Sequence, residues 1–112
     1  MTVMWNSSPF GSNARTRVLL ALQLMSESYA RELARLLDLS LSGVQKALAS
    51  LERDGLVSGR AIGRTRLFSL NPRMFARREL ERYLDRLLEP EEELRNRTAA
   101  IRRRPRRTGK PL

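Results

Sequence analysis

Apolar side chains recur at helical spacing in four stretches of the chain, and in one stretch the period shortens to two. Val18, Leu19, Leu22 and Met25 predict a helix over residues 14–25 with one buried stripe. Ser12 or Asn13 is placed to cap it, and Phe10 stands where a hydrophobic staple packs on the first turn. Residues 26–28, Ser-Glu-Ser, break the pattern. It resumes over 29–37, with Tyr29, Leu33, Leu36 and Leu37 inward and Arg31, Glu32 and Arg35 outward. Asp38 and Leu39 form a turn, Ser40 caps the next helix, and Val44, Leu48 and Leu51 give that helix its inner face as far as residue 54. Gly55 stands where a helix closes on a left-handed residue, with Leu56 packing back over the last turn.

From Val57 the spacing suits strands. Residues 57–61 and 65–70 predict a hairpin about a glycine-containing turn at 62–64, with Phe68 and Leu70 facing the core. Asn71-Pro72 then supplies a cap and a first-turn proline for a last helix over 72–88. Its stripe is Leu80, Tyr83, Leu84, Leu87 and Leu88, and Pro90 ends it. Residues 91–93 start at most one further turn. Beyond Arg95 arginines dominate, Pro105, Gly109 and Pro111 intervene, and the composition predicts disorder. The fold class that follows is mainly α (α+β): three core helices, a two-stranded β hairpin and a C-terminal helix. Residues 1–11 form an arm, 12–89 the domain, and 90–112 a basic tail.

Charge sharpens this picture by its placement. The formal net charge is +10, but residues 39–78 hold eight basic and two acidic side chains, 79–94 two and seven, and 95–112 eight and none. Surface solvation intersperses the signs; segregation on this scale suits a polyanionic partner, nucleic acid above all. There is no cysteine and no histidine. Disulfides, thiolate metal sites and imidazole bases are therefore excluded, and no cofactor is implied. Residues 1–10 are uncharged and no apolar run approaches the ~20 residues of a membrane span, so the expected location is cytoplasmic.

The third helix and the hairpin carry the candidate chemistry. With Val44, Leu48 and Leu51 inside, the outer face presents Ser40, Ser42, Gln45, Lys46, Ala49 and Arg53. Gln45 offers the bidentate amide that pairs with adenine, Lys46 donates to guanine or phosphate, and the serines suit bases or phosphates. Ser42 and Gly43 keep the start of the helix slim. The hairpin carries Arg60, Arg64 and Arg66 and no carboxylate, with Arg64 beside the tip. Protecting a sheet edge does not require every charge to be positive, so the hairpin is expected to touch the nucleic-acid backbone. That expectation needs Gln45 and Lys46 exposed, and Arg60 and Arg64 on one side.

The run R-E-L-A-R-L-L-D-L-S-L-S-G-V-Q-K-A-L-A-S-L-E-R-D-G-L-V, the hairpin G-R-T-R-L-F-S-L and the N-P behind it resemble winged helix-turn-helix regulators of the ArsR/MarR type. The likeness spans residues 10–88. It implies double-stranded DNA as partner, with Ser42, Gln45 and Lys46 on bases and Arg60, Arg64 and Arg66 in the wing. The cysteine and histidine ligands of metal-sensing members are missing, so metal sensing does not carry over.

A single helix-turn-helix unit binds weakly, and a two-fold dimer gains by contacting half-sites about 34 Å apart. A homodimer through the first and last helices is expected, with Leu80, Tyr83, Leu84, Leu87 and Leu88 as the candidate interface. Glu79, Glu81, Asp85 and Glu89 would face away from DNA. The tail residues Arg95, Arg97, Arg102, Arg103, Arg104, Arg106, Arg107 and Lys110 form a polycation. Six of its charges on phosphates would add roughly −5 to the slope of log affinity against log salt. The sum is a dimeric transcriptional regulator, a repressor in preference. The rival is a winged-helix adaptor for protein or RNA, the tail then meeting RNA or an acidic protein. Enzyme chemistry is not expected: Glu52/Asp54 and Glu91–Glu93 have no histidine, glycine-rich loop or nucleophile beside them.

Overall fold

Residues 9–103 are described here, from a computed structural model. Helix α1 (Asn13–Met25) starts where the Ser12 hydroxyl accepts the Arg15 amide at 3.1 Å. Leu20 and Ala21 are as buried as Val18, Leu19 and Leu22, so the helix is enclosed on nearly every side. It forms the axis of the domain, and every other helix packs on it.

Ser26 takes a positive φ of 72° and stops α1. The next three residues are an element the periodicity did not reveal: strand β1 (Glu27–Tyr29), paired antiparallel with the second strand of the hairpin. Three residues are too few to display a period, and only a distant partner makes them a strand. The sheet is therefore three-stranded where two strands were expected. Its order is β1, β3, β2, with β2 (Val57–Ile62) and β3 (Thr65–Leu70) forming the hairpin.

Helix α2 (Ala30–Leu37) closes at Asp38 in the left-handed region, and Ser40 caps α3 (Leu41–Arg53) by accepting the Gly43 amide at 3.0 Å. Val44, Leu48 and Leu51 lie in the core as the spacing predicted. Gly55, at φ 82°, brings the Leu56 amide to the Leu51 carbonyl and turns the chain into β2.

Two boundaries differ from expectation. Helix α4 is Arg77–Leu88, five residues later than Pro72 implied. Asn71 is committed elsewhere: its side-chain amide donates to the Gly55 carbonyl at 2.9 Å and its Oδ1 accepts the Arg73 amide at 3.0 Å. Those bonds hold residues 71–74 in a turn against the end of α3.

The segment expected to be disordered from Arg95 is instead a helix, α5 (Glu92–Arg103). Leu94, Thr98 and Ile101, at i, i+4 and i+7, face α1 and α2, with Leu94 and Thr98 both 3% exposed. Its arginines reach the C-terminal turns of three other helices. Arg102 donates to the Leu24 carbonyl of α1, Arg97 to Leu36 of α2 at 2.8 Å, and Arg95 to Leu88 and Glu89 at the end of α4 at 3.2 and 3.0 Å. Those carbonyls lack intrahelical partners and carry the negative end of the helix dipole. Arginine content that reads as solvated thus has specific work in the fold. The arm's residues 1–8, Trp5 among them, and the tail's Arg104, Arg106, Arg107 and Lys110 lie outside the described residues.

Candidate nucleic-acid interface

The outer face of α3 is exposed as expected: Ser40, Ser42, Gln45, Lys46, Ala49 and Arg53 all meet solvent. At 13 residues the helix is roughly 20 Å long, enough for its N-terminal half to enter a groove while Arg53 stays near the rim. Lys46 and Arg53 form no ion pair among the described residues, so their charge is available to an anion.

The hairpin departs from the expected single patch, and the reason is register. Gly59 faces Phe68 and Ala61 faces Arg66 on the side turned to α3, while Arg60 faces Leu67 on the other. Arg60 therefore projects from the opposite face to Arg66 and is paired with Glu27 of β1 at 3.4 Å. Arg64, beside Gly63 at the tip, lies with Arg66 on the α3 side. A cleft of about 380 Å³ separates hairpin from helix there, lined by Gln45, Ala49, Glu52, Arg64, Arg66 and Phe68 among others. The requirement that Arg60 and Arg64 share a side is not met, so the expected three-arginine patch is overturned, and only Arg64 and the exposed face of α3 remain as candidates for nucleic-acid contact. Of the three hairpin arginines, Arg64 alone has no anionic partner among the described residues.

Arg66 is held by two bonds to one carboxylate: Nη1 to Glu52 Oε1 at 3.1 Å and Nη2 to Oε2 at 2.6 Å. Those hydrogen bonds hold the Glu52 carboxyl below the usual carboxylate range, against the opposing effect of desolvation and with the attraction of the same cation adding to them. The Arg66 guanidinium is stabilised as the cation by the same contact.

Two positioning groups are not legible in the sequence, Glu52 and Arg15. Glu52 and Asp54 form a carboxylate pair along the chain, yet each holds an arginine. Arg15 bonds the Phe10 carbonyl at 2.6 Å, the Ser50 hydroxyl and Asp54 at 2.8 Å, tying the start of α1 to the end of α3. No local signal marks either residue, because the partners are distant in sequence.

The candidate dimer surface also needs correction. Leu84 and Leu88 are 0% and 3% exposed within the single chain, so they belong to its own core and are not free for a second copy. Leu80 and Leu87 pack partly against that core. Tyr83 stays 46% exposed, with the Phe10 ring tilted against it at 5.8 Å between centroids, so Phe10 packs on α4.

No protein-family model matches the sequence, and no curated protein does. Solved structures do match. Reduced HlyU from Vibrio cholerae aligns at 29% identity and TM-score 0.57, over 70% of this chain and 77% of HlyU. A probable transcriptional regulator from Pseudomonas aeruginosa aligns at 25% identity and TM-score 0.57, over 84% of this chain and 80% of the other. The adhesin competence repressor AdcR from Streptococcus pyogenes, at 20% identity, TM-score 0.58 and 77% and 63% coverage, shares the fold.

The fold is a winged helix-turn-helix. Its structural neighbours are winged-helix transcriptional regulators of the MarR/ArsR type. In these terms α2 and α3 are the helix-turn-helix and the β2–β3 hairpin is the wing. The chain spans 60–80% of the lengths of eight solved structures that it matches. Among the described residues, no group of three or more carboxylates stands where a metal ion would bind, and no helix is long and apolar enough to cross a membrane.

Proposed function

We propose that this winged helix binds double-stranded DNA in a sequence-dependent way and regulates transcription. The N-terminal half of α3 enters the major groove, with Gln45 and Lys46 on base edges and Ser40 and Ser42 on bases or phosphate. Ala49 lines the approach, Arg53 meets the backbone at the rim, and Arg64 at the wing tip meets phosphate. The observation that carries this is the exposed outer face of α3 beside the wing: Gln45 and Arg64 border the same cleft, and Lys46, Arg53 and Arg64 are exposed with no ion pair among the described residues. Its neighbours of 25% and 29% identity support a regulator.

The finer reading is a homodimer that represses by occupying its site against polymerase. Two-fold pairing would supply the second half-site contact a small module needs, and the exposed side of α4 around Tyr83, with the exposed Phe75 just ahead of that helix, offers a surface for it. The polycationic tail counts for less than the sequence suggested, since Arg95, Arg97 and Arg102 are engaged with helix carbonyls.

Selection of bound fragments from random duplexes, in near-physiological salt with unrelated competitor DNA, tests the reading. A recurring site, two-fold symmetric for the dimer, is the expected result. Affinity for duplexes with no sequence preference would refute the groove-reading role. Retention of RNA or protein instead of any duplex would point to the adaptor.

A further inference from the structure

Arg66 was expected to meet phosphate, but its surroundings point to a different task. One guanidinium touches Glu52 in the last turn of α3, the Gly59 carbonyl of β2 at 3.1 Å, and the Phe68 ring of β3, 5.0 Å from its centroid. Gly59 permits this. A Cβ there would lie 2.8 Å from Arg66 Nη2 and 2.8 Å from Phe68 Cε1, closer than such atoms approach. The planar fork suits a carboxylate on one edge and an aromatic ring on its face, and lysine reproduces neither. The α3–wing cleft is bounded by these same groups, so their geometry fixes its width.

We propose that Arg66 is a positioning residue, a clamp that with Glu52 sets the distance between the α3 reading face and the Arg64 wing tip, and so decides which phosphate the wing meets when Gln45 is seated on its base. This rests on the DNA-binding reading above. Because the Arg66 cation is already matched by a carboxylate, it releases no counterion on binding, and the wing's share of the salt slope comes from Arg64.

The test uses the full chain with E52Q, R66K and the double variant, titrating the selected duplex over a range of salt. Each single variant is expected to bind roughly three- to tenfold more weakly and the double variant no more weakly than the poorer single, the signature of two residues acting as one unit. In R66K the salt slope stays within about half a unit of the parent's, since the charge is conserved and no phosphate contact is lost. Phosphates beside the wing tip lose protection while bases under Gln45 keep theirs. Were Arg66 a phosphate contact, E52Q would release it and tighten binding instead of weakening it; that result overturns the clamp. Parent-like binding by R66K overturns it as well. Amide exchange at Gly59 and Phe68 in the free protein separates the two readings. The clamp predicts faster exchange in both single variants with no DNA present, and unchanged exchange refutes it. A parent protein that binds no duplex, yet shows that faster exchange in its variants, refutes the DNA reading alone.

Discussion

Leu94→Ala probes the part of the molecule that its composition hides. Leu94 is 3% exposed and sits in the main core cluster, on the face of α5 turned to α1 and α2. If α5 stays docked around the shortened side chain, a cavity remains, and such truncations cost about 2–5 kcal/mol. An escape is open to α5, the last of the described elements: it can leave its site. Its arginines would then return the carbonyls of Leu24, Leu36, Leu88 and Glu89 to water, where they are solvated again at little cost. The loss therefore saturates at the docking free energy of α5, and the low end of the range, about 2 kcal/mol, is expected. For a domain of this size that is a fall in Tm on the order of 10 °C. Urea unfolding followed by circular dichroism measures the stability, and amide exchange over the 12 residues of α5 shows whether that helix alone has opened. Ala99→Ser, on the exposed side, serves as the control, with a change within about 0.5 kcal/mol. A Leu94→Ala protein of parental stability, or parental α5 amides exchanging at random-coil rates, would refute the docked helix and restore the disordered segment its arginines suggest.

Further outcomes follow from the site. Gln45→Ala should relax preference at one base pair and cost ~1–3 kcal/mol on the selected duplex, measured by competitive binding; equal affinity for every sequence before and after would refute the placement of α3. Arg64→Ala should weaken all duplexes alike and reduce the magnitude of the salt slope by about one unit, whereas Arg60→Ala, removing a cation already paired with Glu27, should leave the slope nearly unchanged. Gly59→Ala pushes a methyl into the Phe68 ring and the Arg66 guanidinium and should destabilise the domain by about 1–2 kcal/mol in urea unfolding, overpacking exceeding the entropic gain of replacing glycine. Glu52 has its folded-state pKa below the unfolded value of about 4.3, so its contribution is complete above that value and is lost as pH falls through the lowered one. Carboxyl-carbon NMR should show Glu52 titrating below its ordinary range in the parent and returning toward it in Arg66→Gln, while the wing stays unchanged between pH 5 and 7.

Local signals determine much of this protein. The caps at Ser12 and Ser40, the left-handed Gly55, the core spacing of Val44, Leu48 and Leu51 and the two wing strands are all set by near neighbours, so they are legible in the sequence. The exposure of Gln45 and Lys46 follows from the same periodicity. What only the tertiary structure decided depends on partners far along the chain. Strand β1 exists because β3 is beside it, and α4 starts late because Asn71 reaches back to Gly55. Leu84 and Leu88 face their own core instead of a second copy, and α5 forms because its arginines find the ends of three other helices. The wing arginines show the division most plainly. Their identity and spacing announce positive charge, but strand register sends Arg60 and Arg66 to opposite faces and gives each a carboxylate, leaving Arg64 as the free cation among the three. A sequence displays which side chains are apolar or charged at each step of a local period; which surface each one meets is set by contacts that only folding brings together.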